Sequence, residues 1–248
     1  MDSIPVFSPP PSLLDLSSQS PLALFLDFDG TLVEIAPAPD LITVPAYLVP
    51  RLEQLASTME GRLALVSGRS IADLERYLGK TALAMAGSHG LERKLPGHAT
   101  SGHQLEPIPA AVEAQLNVYC RDNRGVAFEH KPHGAALHFR AAPHLEEKTT
   151  QFAQAVATDN GLDLKRGKCV VELVPHGANK AAAVQSFMAQ PSFSGALPVF
   201  IGDDVTDEDG FRAASSLGGF GIRVGNNETS AARYHLSSPR AVHDWLGI

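Results

Sequence analysis

Cysteine is nearly absent: Cys120 and Cys169 are the only two in 248 residues. Two thiols in a chain of this length make no disulfide framework, and the histidines offer no zinc spacing to join them. Both cysteines are expected to sit as small hydrophobes in a reducing, cytoplasmic compartment. Runs of positive charge are missing too. Lys and Arg number 20 against 27 Asp and Glu, for a net charge of −7, and they form no block. That argues against a nucleic acid or an anionic membrane as partner. No apolar run approaches the ~20 residues of a membrane span. The first residues carry Asp2 and no Lys or Arg, so no secretory n-region is expected. No internal repeat is found. What remains is a hydrophobic content of 44%, enough for a full core, in a length that suits one large domain or two unequal ones.

The stretch Leu22–Val33, LALFLDFDGTLV, organises the rest. Its apolar run, Leu22 to Leu26, suits a strand buried on both faces. Asp27 and Asp29 leave the end of that strand, followed by Gly30-Thr31. Asp and Gly also make ordinary turns, so the rest of the chain has to decide. Residues 1–20, with Pro9-Pro10-Pro11, read as a loose extended leader whose Leu13, Leu14 and Leu16 are available to dock. Pro37, Pro39 and Asp40 mark a loop, and a helix follows from Pro45. Arg62 to Val66 is a second buried strand ending in Ser67-Gly68-Arg69. Ser70 caps a short helix, with Asp73 at capping-box spacing, and Gly79 closes it. Leu83 to Ala86 is a third strand, ending in Gly87-Ser88-His89-Gly90. This alternation predicts a doubly wound, mostly parallel α/β sheet.

After Gly97 the texture changes. A helix over 109–121, strands 126–131 and 135–140, a helix over 144–160 and strands 162–166 and 168–174 form an α+β unit, placed at 103–175. The alternation resumes with a helix from Ala178, a strand Leu197–Ile201 ending in Gly202-Asp203-Asp204, a helix Thr206–Ala214, a strand Gly219–Val224 and a terminal helix. The expected organisation is a leader over 1–20, a core over 21–102 and 176–248, and the insert.

Parallel strands put their C-terminal ends on one edge, where open α/β sheets bind ligands. Asp27 and Asp29, Ser67, Lys180, and Asp203, Asp204 and Asp207 are thereby expected to converge. Carboxylates from separate strands with one lysine and one hydroxyl suit Mg²⁺-dependent phosphoryl transfer.

DFDGTL, the Ser of VSGR, the Lys of GANK and GDDVTDE resemble, in order, the four motifs of the haloacid-dehalogenase-like (HAD) phosphatases. LFLDFDGTL, LVSGR, AGSHGLE, FEHK, LHFR, VVELVPHGANK and FIGDDVTDEDGF narrow the resemblance to the trehalose-6-phosphate phosphatases, over about residues 22–224. The resemblance implies a Rossmann-like core with an inserted cap. It implies Asp27 as nucleophile, Asp29 as general acid and base, and Ser67 and Lys180 on the phosphoryl group. It also implies Mg²⁺ on Asp27, Asp203 and the Asp29 backbone carbonyl, supported by Asp204, Asp207 and Thr31. A trehalose-6-phosphate synthase is a partner it allows.

Period alone puts Glu129, Lys131, His138, Arg140, Lys168 and Glu172 on one polar face of the insert's sheet. The bland account of such a face is solvation. The resemblance instead assigns Glu129, Lys131 and Glu172 to sugar, with Arg140, Lys168 and Arg166 as weaker candidates. Gly68, Arg69 and His89 are substrate-binding candidates; Arg69, toward phosphate or sugar, has an equal prospect of pairing with an acid, and a loop histidine satisfying backbone is as good an account of His89. Rival readings are a phosphatase for sucrose or glucosylglycerol phosphate, a mutase, and a silent domain that binds a synthase.

Overall fold

The computed structural model describes residues 8–36, 39–102, 107–225 and 229–248. Residues 1–7 of the leader, the loop residue Pro37 and residue 103, where the insert is expected to begin, lie outside them. The chain divides into two compact units, residues 1–101 with 179–248, and residues 102–178.

The first unit is built on β1 (Leu22–Leu26), β2 (Leu63–Val66), β3 (Ala84–Gly87), β4 (Glu92–Lys94), β10 (Leu197–Gly202), β11 (Phe220–Val224) and β12 (Tyr234–Leu236). Adjacent pairs from β12 through β11, β10, β1 and β2 to β3 are parallel. Only β4 turns back, antiparallel to β3, toward the two-residue edge strand β5 (Ser101–Gly102).

Residues of β1 alternate between two cores. Leu22, Leu24 and Leu26 pack with helices α2 (Leu48–Thr58), α3 (Ile71–Leu78) and α8 (Pro239–Leu246). Ala23 and Phe25 pack with α6 (Lys180–Met188) and α7 (Asp207–Ser216). A strand covered on both faces reads as a continuous apolar run, which is why β1 is legible as such. The fold class is therefore α/β with a mostly parallel central sheet.

β1 lies between β10 and β2, so the chain winds outward from it in both directions. That reversal opens a crevice beyond the C-terminal end of β1, flanked by the ends of β2 and β10.

Three features depart from the sequence reading. The leader is not wholly extended: α1 (Leu13–Gln19) is capped by Ser12 and buries Leu16, and Trp245 Nε1 donates to Pro11 O at 2.8 Å. β4, β5 and β12 were not expected, because strands of two or three residues carry too little sequence for a period to show. Helix and strand ends otherwise shift by one to three residues, as capping and fraying allow.

The second unit is a separate α+β layer. β6 (Ala127–Lys131), β7 (Gly134–His138), β8 (Leu162–Gly167) and β9 (Val170–Pro175) form an antiparallel sheet in the order β6-β7-β9-β8. One face carries Ala135, Leu137, Val171 and Leu173 against Val112, Leu116 and Tyr119 of α4 (Ala110–Asp122) and Ala153, Val156 and Ala157 of α5 (Glu146–Asp159). Cys120 and Cys169 are free thiols packed against this core.

Candidate active site

The acidic side chains of the site lie at element ends: Asp29 just after β1, Asp203 just after β10, and Asp207 at the start of α7. Asp27 follows β1, and its N–H donates to Ile201 O at 2.9 Å, which locks the end of β1 to β10. The chain then turns at once. Leu32 and Val33 N–H donate to Phe28 O, and Gly30 N–H donates to Val33 O. Gly30 has φ +79°, and a Cβ there would lie 2.2 Å from Asp203 Oδ2. Gly202 is as tight: a Cβ would lie 2.3 Å from Asp207 Cγ. Two glycines thus make the room in which the carboxylates meet.

Lys180 opens α6 behind the cap Asn179 and is 3% exposed. Its Nζ donates to Asp27 Oδ1 at 2.7 Å and to Asp207 Oδ1 at 2.6 Å. Asp207 Oδ2 accepts from Asp204 N–H at 2.9 Å. Asp27, Asp203 and Asp207 place ligand oxygens within 4.8 Å of one another. Asp203 Oδ1 is buried and takes no hydrogen bond among the described residues.

Three carboxylates against one ammonium leave negative charge uncompensated. Burial, then Asp207, pushes the Asp27 carboxyl well above its ordinary range, although Lys180 pulls it down. Burial, then Asp207 and Asp204, raises Asp203 to about 7. Burial alone would lower Lys180, but Asp207 and Asp27 outweigh it and hold the ammonium above its usual value. Both oxygens of Asp207 are engaged by the protein, so Asp207 serves to orient Lys180 and the Asp204 turn. A cation would restore balance here, and the all-oxygen donor set suits a hard one.

Ser67 follows β2, and its buried Oγ accepts from Arg69 N–H at 3.1 Å. Arg69 pairs with acids. Its Nε and Nη2 hold the two oxygens of Asp29 at 2.6 and 2.8 Å, and Nη1 reaches Asp73 at 2.7 Å. Burial opposes the charge on Arg69, and these carboxylates more than restore it. His89 is buried with φ +55°, and its N–H donates to Ser67 O. A Cβ on Gly68 would meet the His89 ring at 2.7 Å. Thr31 Oγ1 is buried with no partner among the described residues.

On the second unit, strand register defines a row across the sheet: Glu129, Ala136, Glu172 and Lys165. Lys131 Nζ lies 2.8 Å from Glu172 Oε1, and His138 Nε2 lies 2.7 Å from Glu129 Oε2. Glu129, Lys131, His138 and Glu172 therefore share the face opposite the helices. Arg140, Arg166 and Lys168 do not join this row. β7 ends at His138, and Arg140 lies exposed beyond it, donating to Lys168 O at 3.4 Å. The β8–β9 turn is Lys168-Cys169, with Gly167 paired to Val170. This one-residue shift puts Lys165 in the polar row and turns Arg166 to the α5 side, beside Thr150 and Gln154.

Arg223 was missed. It is 5% exposed and donates to Asp204 O at 2.9 Å. A lone charge inside the apolar run Phe220–Val224 is the signal that could have found it.

Residues 25–240 match the family model for trehalose-phosphatase. The chain belongs to the trehalose-phosphatase family. The trehalose-6-phosphate phosphatase of Escherichia coli K12 is 38% identical over 226 residues, 90% of this chain and 85% of that protein. Among solved structures, the C-terminal domain of the trehalose-6-phosphate phosphatase of C. albicans has a TM-score of 0.85 at 24% identity, over 98% of this chain and 97% of that one. A phosphatase of the haloalkanoate (HAD) superfamily from Bacteroides thetaiotaomicron has a TM-score of 0.62 at 16% identity, over 93% and 94% of the two chains. These two likenesses show the fold alone. Family membership makes the chain a phosphatase. Among the described residues, no helix is long and apolar enough to cross a membrane.

Proposed function

We propose that this phosphatase hydrolyses trehalose 6-phosphate to trehalose and phosphate through an aspartyl-phosphate, with Mg²⁺ bound at the carboxylate cluster. The observation that carries the reading is the Asp27–Lys180–Asp207 contact beside the unpartnered Asp203 Oδ1. Asp27 Oδ2 takes no hydrogen bond among the described residues, while Lys180 fixes Oδ1. One oxygen is anchored and the other is available as nucleophile.

In the first step Asp27 attacks phosphorus, the bond from phosphorus to the sugar oxygen breaks, and Asp29 gives that oxygen its proton. In the second step Asp29 takes a proton from water, water attacks phosphorus, and the Asp27–phosphorus bond breaks to release phosphate. To reach the leaving oxygen Asp29 has to exchange its pair with Arg69. Lys180 and Ser67 bind phosphoryl oxygens. Asp27, Asp203 and the Asp29 carbonyl would hold Mg²⁺, which when bound neutralises charge on the phosphoryl oxygens. Asp204, Asp207 and Thr31 support that set. The second unit acts as the specificity cap, with Glu129, Lys131 and Glu172 reading sugar hydroxyls.

Phosphate release by the purified protein is the test, on trehalose 6-phosphate, sucrose 6-phosphate and glucosylglycerol phosphate, with Mg²⁺ or with EDTA. Turnover should be selective for the first substrate and lost on chelation. An acid-quenched sample should carry phosphate on the peptide containing Asp27. Preference for another sugar phosphate, or full activity in EDTA, would overturn the corresponding part of the proposal.

A further inference from the structure

Outside the residues assigned so far, one side chain of the polar row's neighbourhood makes a specific contact with a sugar-reading candidate. His138 is the last residue of β7, and its partner across β6 is Ala127; Glu129 stands opposite Ala136. Glu129 thus has only a methyl group directly across from it. The polar side chain within reach on that face is the diagonal one, His138. The imidazole Nε2 donates to Glu129 Oε2 at 2.7 Å, and the two side chains are 27% and 30% exposed. Among the described residues Glu129 Oε1 accepts no hydrogen bond.

We propose that His138 is a positioning residue: it holds Glu129 by one oxygen so that the other faces a sugar hydroxyl, and through Glu129 it sets affinity for the sugar part of the substrate. This rests on the reading of Glu129 as a hydroxyl acceptor. A glutamate with several rotatable bonds opposite an alanine has no fixed direction of its own. Ordering it only when ligand binds would weaken binding by roughly three- to tenfold. Glu172, by contrast, has Lys131 at 2.8 Å and Lys165 beside it in register. The two carboxylates of the row are held by different means, so loss of His138 acts on one of them.

The test is a double-mutant cycle on the full chain, reading kcat and KM for trehalose 6-phosphate and the inhibition constant of trehalose. His138→Ala should raise KM and the trehalose constant three- to tenfold, with a smaller change in kcat. His138→Gln, which keeps an N–H donor, should recover part of the loss. In a Glu129→Ala background, His138→Ala should change nothing further. An equal effect of His138→Ala in both backgrounds would mean that it only supports the sheet, and the proposal fails. It fails equally if Glu129→Ala weakens sugar binding while His138→Ala matches the wild type. If Glu129→Ala itself leaves both constants unchanged, the sugar reading of Glu129 has failed, and the role of His138 falls with it. Should His138→Ala not fold, His138→Phe, which keeps a ring and loses the donor, carries the same cycle.

Discussion

A buried lysine between two aspartates looks like a stabilising ion pair, yet the balance of charge around Lys180 says otherwise. Asp27, Asp203 and Asp207 share one ammonium in a site where water screens little. Removing a carboxylate and removing the ammonium should therefore have opposite effects on stability. Lys180→Met strands Asp27 and Asp207 without a cation, and should destabilise the metal-free protein by about 3–5 kcal/mol. Asp27→Asn removes repulsion and should leave the metal-free melting temperature unchanged or higher. Both variants should lose turnover, by roughly a thousandfold or more for Asp27→Asn. Thermal denaturation in EDTA beside initial rates in Mg²⁺ checks the pair. A lowered melting temperature for Asp27→Asn would contradict the charge argument.

The same residues give a pH dependence of definite sign. Asp203 is raised from 3.8 to about 7, by burial first and then by Asp207 and Asp204. Below about pH 4 both the folded and unfolded states hold this proton. Between there and about pH 7 only the unfolded state releases it, so the contribution to stability is lost as pH rises and flattens above 7. Metal-free wild type should thus lose stability relative to Asp203→Asn between pH 5 and 8, by an amount on the order of a few kcal/mol at most. A saturating divalent cation should remove the slope. Urea unfolding of both proteins at the two pH values, with and without Mg²⁺, measures it.

At the scale of elements, the strand ends place the chemistry and the glycines decide whether it fits. Gly30→Ala puts a methyl group into the Asp203 carboxylate at a φ of +79°, so backbone strain and a clash add. The variant should be destabilised by roughly 2 kcal/mol or more and should bind Mg²⁺ more weakly, read by calorimetry. Wild-type affinity in Gly30→Ala would show that the Asp203 contact does not matter. This level also shows what a sequence discloses. The buried strands β1, β2 and β10 and the motif at each end were legible because a doubly covered strand is a short apolar run that stops at polar residues. The cap of α3 was legible because Ser70 and Asp73 are three residues apart, and Ser70 Oγ does accept from Asp73 N–H. Contacts that depend on distant pairing were not. His243 Nε2 meets Leu32 O at 2.8 Å and so ties α8 to the turn after Asp29, 211 positions away. Lys165 was passed over for Arg166 because the turn Lys168-Cys169, with Cys169 at φ +62°, moves the register by one. Arg69 was legible as a residue of interest, but its choice of Asp29 and Asp73 needed the fold.

The proposed function divides two kinds of chemistry between the two compact units of the chain. Asp27, Asp29, Ser67, Lys180 and Asp203 belong to the unit of residues 1–101 with 179–248, while Glu129, Lys131 and Glu172 belong to that of residues 102–178. A small aryl phosphate has no sugar hydroxyls and a good leaving group, so its hydrolysis draws on the first set. On the proposed function, trehalose 6-phosphate draws on both. Glu172→Ala removes an acceptor from the polar row and frees Lys131 from its 2.8 Å contact, and no group of the first set is altered. Hydrogen bonds to charged groups are worth roughly 1.5–3 kcal/mol, so the ratio of kcat/KM for trehalose 6-phosphate to that for p-nitrophenyl phosphate should fall by about ten- to a hundredfold. Part of the fall should lie in kcat, because binding energy from the non-reacting part of a substrate also helps to reach the transition state. Steady-state kinetics on the two substrates decide the matter. Should the two fall together with the ratio unchanged, the polar row is a solvated surface whose carboxylates serve the sheet, and sugar specificity has to be sought elsewhere in the chain.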